Sequence, residues 1–307
     1  MPIALGLVGV GKIARDQHLP AIARGEAFDL IAMASRDAAG LSDVRFTSLK
    51  QMLDATPILA AISLASPPVG RAELAREALL AGKHIMLEKP PCATLGEVRG
   101  LEDLAKEKSL TLFATWHSRE AAGVEAARAW LADKHIQSGA IAWCEDVRVW
   151  HPGQDWIFAP GGLGVFDPGI NALSILTAIL PGNVSVLEAE LETPENRQAP
   201  IRARVTMLHQ GDARIAAEFD FLYKGDPHWS IDVVTAEGAL RMDQGGARLC
   251  IDGKEVESGD SQEYDRLYVR FAQLIQSRRS DVDVRPLALV ADALLVGTRR
   301  TVDAFYF

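Results

Sequence analysis

The chain has 307 residues, 48% of them hydrophobic and 24% charged, and its 32 Lys and Arg against 41 Asp and Glu leave a formal charge of −9. That balance belongs to a globular protein of one large or two ordinary domains, and it excludes a disordered or collagen-like chain. Residues 1–120 carry 14 basic and 14 acidic side chains, so the negative excess lies wholly in 121–307 and no nucleic-acid partner is expected.

The longest apolar runs, Ile3 to Val10 and Pro57 to Ala65, fall well short of the roughly 20 residues that span a bilayer. The first leads straight into a glycine loop rather than a signal cleavage site, so no membrane partner and a cytoplasmic location are expected. Cys92, Cys144 and Cys250 are isolated, without His or Cys at ligand spacing, and read as reduced packing residues with no metal.

From residue 3 to about 116, short apolar runs at 3–8, 28–34, 58–64, 84–88 and 111–115 alternate with helical patterns near 12–24, 48–54, 69–82 and 94–108. This is the rhythm of βαβ units in a doubly wound parallel sheet, a Rossmann architecture. Thr94 with Glu97 three residues on forms a capping-box pattern, and Gly82 closes the helix before it.

After residue 120 the period changes. A helical stretch runs to about 132, and strand-like segments follow near 139–149, 184–192, 201–209, 213–223, 230–235, 239–243 and 247–251. Helices are predicted near 168–180, 262–278 and 286–305. Consecutive strands imply a mostly antiparallel, open-faced sheet in an α+β domain, so the fold class is α/β followed by α+β. The expected domains are 1–120, a dinucleotide-binding unit, and 121–307, a substrate-binding and oligomerisation unit. An uncovered apolar sheet face would make the protein a homo-oligomer.

Gly9-Val10-Gly11-Lys12-Ile13-Ala14 places G-x-G-x-x-A between the first strand and the first helix. Its glycines allow a tight turn, and the N–H groups around Lys12, Ile13 and Ala14 point at a pyrophosphate. Ser35-Arg36 ends the second strand where an acidic residue would hold the ribose of NAD. Ser and Arg suit a 2′-phosphate, which favours NADP with NAD as a weaker cofactor; the competing reading has Asp37 take the ribose.

Glu88-Lys89-Pro90 puts a lysine at the carboxyl end of the fourth strand, where open α/β sheets bind ligands, with a cis Lys–Pro bond as a hypothesis. Gly161-Gly162-Leu163-Gly164-Val165-Phe166-Asp167-Pro168-Gly169-Ile170-Asn171 delivers Asp167 and Asn171 at i, i+4 on one helical face, although Asp167 alone could be an N-cap.

G-x-G-x-x-A, Glu-Lys-Pro and G-G-x-x-x-x-D-x-G-x-N together resemble the glucose–fructose oxidoreductase and inositol dehydrogenase family. Lys12 to Pro20, Glu88 to Glu97, Thr115 to Arg119, Glu145 to Arg148, Trp150 to Gln154 and Ser280 to Leu287 resemble its bacterial D-galactose and L-arabinose 1-dehydrogenase subgroup.

The resemblance implies oxidation of a sugar at C1 by hydride transfer to the nicotinamide, with Lys89 and Asp167 handling the hydroxyl proton. Either could be the primary base. Asn171 stands where the broader family commonly has His, and an amide cannot titrate near neutral pH. Glu145, His151 and Asn171 are implied as hydroxyl ligands, with His117, Trp150 and Trp229 close by. Five of the six Trp fall between residues 116 and 156, interleaved with His117, Glu145, Asp146, Arg148 and His151, which suits a pyranose with its apolar C–H faces and hydroxyl rim. Only one of Glu145 and Asp146 is expected to face the sugar, as adjacent strand positions. Ser66-Pro67 is implied to lie against the nicotinamide half of the cofactor, with Glu88 and Lys89. His18, His84, His135 and His209 are given no role. The alternatives are oxidation at another polyol carbon, as in inositol dehydrogenases, or a non-catalytic NADP(H) sensor.

Overall fold

The computed structural model describes residues 1–36, 45–260 and 262–307. These fall into two compact units, Met1–His117 with Gln262–Val284, and Ser118–Ser261 with Arg285–Phe307. Asp37, the alternative ribose ligand, lies outside the described residues.

The first unit is built on β1 (Ile3–Val8), β2 (Phe28–Ala34), β3 (Ala61–Leu64), β4 (His84–Leu87) and β5 (Leu112–Ala114), all parallel in the order β2-β1-β3-β4-β5. Every residue of β3 is buried, as expected of a strand covered on both faces. The first helix opens with a π-turn over Ala14–His18 and continues as α1 (Leu19–Arg24), inside the predicted 12–24. Then come α2 (Leu49–Ala55), α3 (Arg71–Leu80) and α4 (Leu95–Glu107). The capping box on α4 is complete: Thr94 Oγ1 accepts from Glu97 N at 3.2 Å, and Glu97 Oε2 accepts from Thr94 N at 2.9 Å.

The second unit begins with α5 (Val124–Leu131), β6 (Ile136–Cys144), α6 (Val147–Trp150) and α7 (Phe166–Ile179). Two runs of consecutive antiparallel strands follow, β7 (Val184–Pro194), β8 (Arg202–His209) and β9 (Ala213–Asp220), then β10 (His228–Thr235), β11 (Gly238–Asp243), β12 (Arg248–Ile251) and β13 (Lys254–Ser258), with β6 between them in the sheet. After β13 the chain supplies α8 (Glu263–Ser277) to the first unit, then α9 (Arg285–Val296) and β14 (Thr298–Val302) to the second. The nine strands run β13-β12-β11-β10-β6-β9-β8-β7-β14, antiparallel except for the β6/β9 and β7/β14 pairs.

One face of this sheet alternates into the core through Val205, Met207, Ile215, Phe219, Ile231 and Val233, with Phe219 edge-on to Phe166 of α7 at 5.3 Å. The other face carries Glu190, Glu192, Arg202, Arg204, Glu218 and Asp220, with Arg202 Nε donating to Asp220 at 2.9 Å. Ala140, Ala142, Thr206 and Ala216 lie on this same face, so the expected apolar open face is corrected to one that mixes charged and small side chains.

Three further expectations are corrected. The strand predicted to 149 ends at Cys144, because Asp146 caps α6 by accepting from Arg148 N at 2.9 Å. The helix predicted over 286–305 stops at Val296, and Thr298–Val302 pairs instead with β7. The helix predicted over 262–278 forms, but in the first unit rather than the second. Its Phe271 stacks on Phe28 at 5.3 Å and on Phe113 at 6.2 Å, so it closes the core beside the parallel sheet. The strand at 254–258 was not expected, since all five of its residues are exposed. Among the described residues no helix is long and apolar enough to cross a membrane, and no His, Cys, Asp or Glu cluster could hold a metal.

Candidate active site

In the first unit a cleft of about 570 Å³ lies along the carboxyl edge of the sheet, lined by Gly9, Gly11, Ser35, Arg36, Ser66 and Pro67 among others. Gly9 has φ +89°, and a Cβ there would sit 2.6 Å from Ser66 N, so only glycine lets the two loops approach. Gly11 faces open space. Ser66 Oγ is buried without a hydrogen-bond partner, a costly state that a ligand acceptor or donor would relieve. A glycine turn, an orphaned hydroxyl and the Ser35-Arg36 pair at the end of β2 fit a dinucleotide phosphate chain. Lys12 is exposed and pairs with Asp16, Ile13 is exposed, and Ala14 is buried at the helix start.

Lys89 is half-buried just beyond β4, and its bond to Pro90 is cis. Glu88 is buried and points inward: Oε2 accepts the Lys89 N–H at 2.7 Å, and Oε1 accepts from Tyr264 Oη at 2.6 Å and faces His18 Nε2 at 3.3 Å. His18 Nδ1 lies 2.7 Å from Tyr268 Oη. Burial alone would raise the Glu88 carboxyl. The His18 hydrogen bond, the electrostatic pull of His18 and His117 and the Tyr264 hydroxyl outweigh it and hold the group well below the usual carboxylate range. Burial, then the Glu88 charge, pushes the Tyr264 hydroxyl upward, so it stays a donor. His117 completes this cluster, stacked on Tyr264 at 5.5 Å with Nδ1 2.5 Å from Glu263 Oε2. His18, Tyr264, Tyr268 and Arg71 carried no readable sequence signal, since their partners are distant in the chain.

In the second unit Glu145 is 3% exposed and receives Trp229 Nε1 on Oε2 at 2.9 Å, with His151 Nε2 3.1 Å from Oε1. Trp229 lies edge-on to Trp150 at 4.9 Å and near-parallel to the buried Trp143 at 6.1 Å. Glu145 thus follows the strand end, while Asp146 turns away to cap α6, so one of the pair faces inward for a different reason than strand alternation.

Asp167 is 3% exposed and sits inside the first turn of α7, past the N-cap Val165, so it is not a capping residue. Gly164 before it has φ +57°, and a Cβ would come 2.2 Å from Pro200 O. Asn171 is half-buried one turn on. The structure therefore gathers Glu145, His151, Trp150 and Trp229 in one cluster, places Asp167 and Asn171 on α7 of the same unit, and puts His117 with the first unit.

The thiols are buried packing groups. Burial pushes Cys92 up to about 12 and Cys144 up to about 11.

Residues 3–115 match the GFO/IDH/MocA family, an oxidoreductase family with an NAD-binding Rossmann fold. A protein named galactose 1-dehydrogenase from Pseudomonas fluorescens is 47% identical over 99% of both chains. The chain belongs to the GFO/IDH/MocA oxidoreductase family. Among solved structures, the D-galactose-1-dehydrogenase of Rhizobium etli superposes with a TM-score of 0.94 at 52% identity, covering 99% of this chain and 98% of that one. The 3-ketoreductase KijD10 of Actinomadura kijaniata, solved with TDP-benzene and NADP, shares the fold at a TM-score of 0.83 and 17% identity, over 98% of this chain and all of the other. As a member of this family the protein is an oxidoreductase with an NAD-binding Rossmann domain, which sets the sensor alternative aside.

Proposed function

We propose that the protein oxidises a cyclic aldose at C1 to its aldonolactone, with NADP preferred over NAD. Its substrates are D-galactose, L-arabinose and D-fucose, which differ only at C5, where a pocket without a hydrogen bond to that group discriminates by about 1–3 kcal/mol. The observation that carries the reading is the whole-length likeness to a galactose 1-dehydrogenase.

Bound nicotinamide supplies the acceptor for the hydride that leaves C1. The chain's own groups do the rest. Lys89 and Asp167 share the C1 hydroxyl, and one of them takes up its proton as the C–O double bond forms, while Asn171 orients the substrate by donating and accepting without titrating. Glu145 accepts from sugar hydroxyls with the lone pairs that His151 and Trp229 leave free, and its burial strengthens each such bond. Trp150, 42% exposed, offers an aromatic edge or face to apolar C–H groups, with Trp229 and His151 beside it and His117 as a further ligand. Ser35 and Arg36 hold the 2′-phosphate, the Gly9 to Ala14 turn cradles the pyrophosphate, and Ser66, Pro67, Glu88 and Lys89 shape the nicotinamide end.

Galactose labelled with carbon-13 at C1 tests the assignment. The labelled signal moves from the anomeric to the carboxyl region as NADPH appears; oxidation at any other carbon contradicts it.

A further inference from the structure

Arg71 opens α3, and arginine at a helix start, against the positive end of the dipole, is expected to reach for solvent. It is instead 2% exposed. Its Nε donates to Ser66 O at 2.9 Å, and its Nη2 donates to the same carbonyl. Nη1 donates to Glu88 O and to Pro90 O, with Pro91 O at 3.5 Å. One guanidinium thus joins two loops that leave neighbouring strands β3 and β4 at the same edge.

The carbonyls it takes in the second loop flank Lys89 on either side. Lys89's own N–H is held by Glu88 Oε2 at 2.7 Å. The backbone of Lys89 is therefore gripped at three successive points, and the group that grips two of them also grips Ser66, a residue of the cleft lining whose hydroxyl is buried without a partner. Only a planar fork with several donors in fixed directions spans both loops; an ammonium is a single point and reaches one.

We propose that Arg71 is a positioning residue, holding the Lys89 turn in fixed register with the Ser66 loop so that the Lys89 ammonium is presented at one place relative to bound cofactor. The inference rests on the reading of Lys89 as a proton-transfer group. Arg71 itself touches no reacting atom.

The full-length chain carrying Arg71→Lys provides the test, with three readouts. One is kcat against KM for D-galactose at saturating NADP. Another is NADPH affinity by fluorescence titration. The last is the rate at which trinitrobenzenesulfonate labels Lys89 relative to the exposed Lys12, read by peptide mass spectrometry.

A loosened turn costs about a hundredfold in kcat, the order expected for a misplacement near 1 Å. KM and NADPH affinity change far less, and Lys89 labelling rises severalfold. Arg71→Gln, planar with two donors, gives a smaller loss of kcat and serves if the lysine variant does not fold. Unchanged kcat with unchanged labelling overturns the proposal, and so does loss of NADPH affinity in step with kcat, which would make Arg71 a general scaffold residue. Should the parent chain fail to oxidise galactose, the aldose reading falls, while the Lys89-to-Lys12 labelling ratio still decides the role of Arg71.

Discussion

In the first unit the candidate groups stand at strand ends: Gly9 follows β1, Ser35 follows β2, Ser66 follows β3 and Lys89 comes just after β4. Parallel pairing alone brings them to one edge of one sheet. In the second unit Glu145, Trp150 and His151 come from the short stretch after β6 that holds the single turn of α6, Trp229 from a strand that enters the sheet some 80 residues later, and Asp167 from a helix start. There the cluster exists because side chains hold one another, with the Glu145 carboxylate between Trp229 and His151. A site laid out by backbone geometry should tolerate loss of a side chain in shape but not in chemistry, whereas one laid out by side-chain contacts should lose binding.

Substitution at each place sharpens this contrast. The largest effect is expected for Lys89→Met, which should lower turnover about a thousandfold, within the range for loss of a general acid–base group, while NADPH binding persists in a fluorescence titration. Near-normal turnover would break the scheme. Glu145→Ala should raise the KM for galactose about a hundredfold, since it removes a buried charged acceptor and strands both Trp229 Nε1 and His151, with cofactor affinity unchanged.

Glu88→Gln tests the first unit through stability. Because the folded-state carboxyl is held below its ordinary value, its contribution is present above the usual carboxylate range and lost as pH falls through and below it. The variant should therefore be less stable by about 2 kcal/mol near neutral pH, with a gap that narrows in acid, as followed by melting temperature across pH. A gap independent of pH would contradict the buried, ionised carboxylate. The smallest effect is expected for Arg36→Ala, which should cut the preference for NADP over NAD about tenfold in kcat/KM for the cofactors, as for one charge-assisted contact.

What was readable in the sequence follows the same division. β1 and β2 have the bounds their apolar runs predict, because buried parallel strands with glycine and proline punctuation are locally specified. The pattern over Thr298–Val302 reads as helix, because it is a strand only through its pairing with β7, a partner about a hundred residues away. α8 was readable as a helix but not as part of the first unit, because Tyr264, Tyr268 and Phe271 meet their partners across most of the chain. Lys89 and Asp167 stood out through glycine and proline neighbours. Arg71 did not: a helix-opening arginine carries the pattern of a solvated one, and only burial against three carbonyls reveals its place.

The most direct test of the whole account is the initial rate of nicotinamide reduction with L-arabinose, D-galactose, D-xylose and D-glucose, each with NADP and with NAD. The account predicts turnover of L-arabinose and D-galactose, faster with NADP at limiting cofactor, and little with the other two. Turnover of none of the four sugars with either cofactor would contradict it.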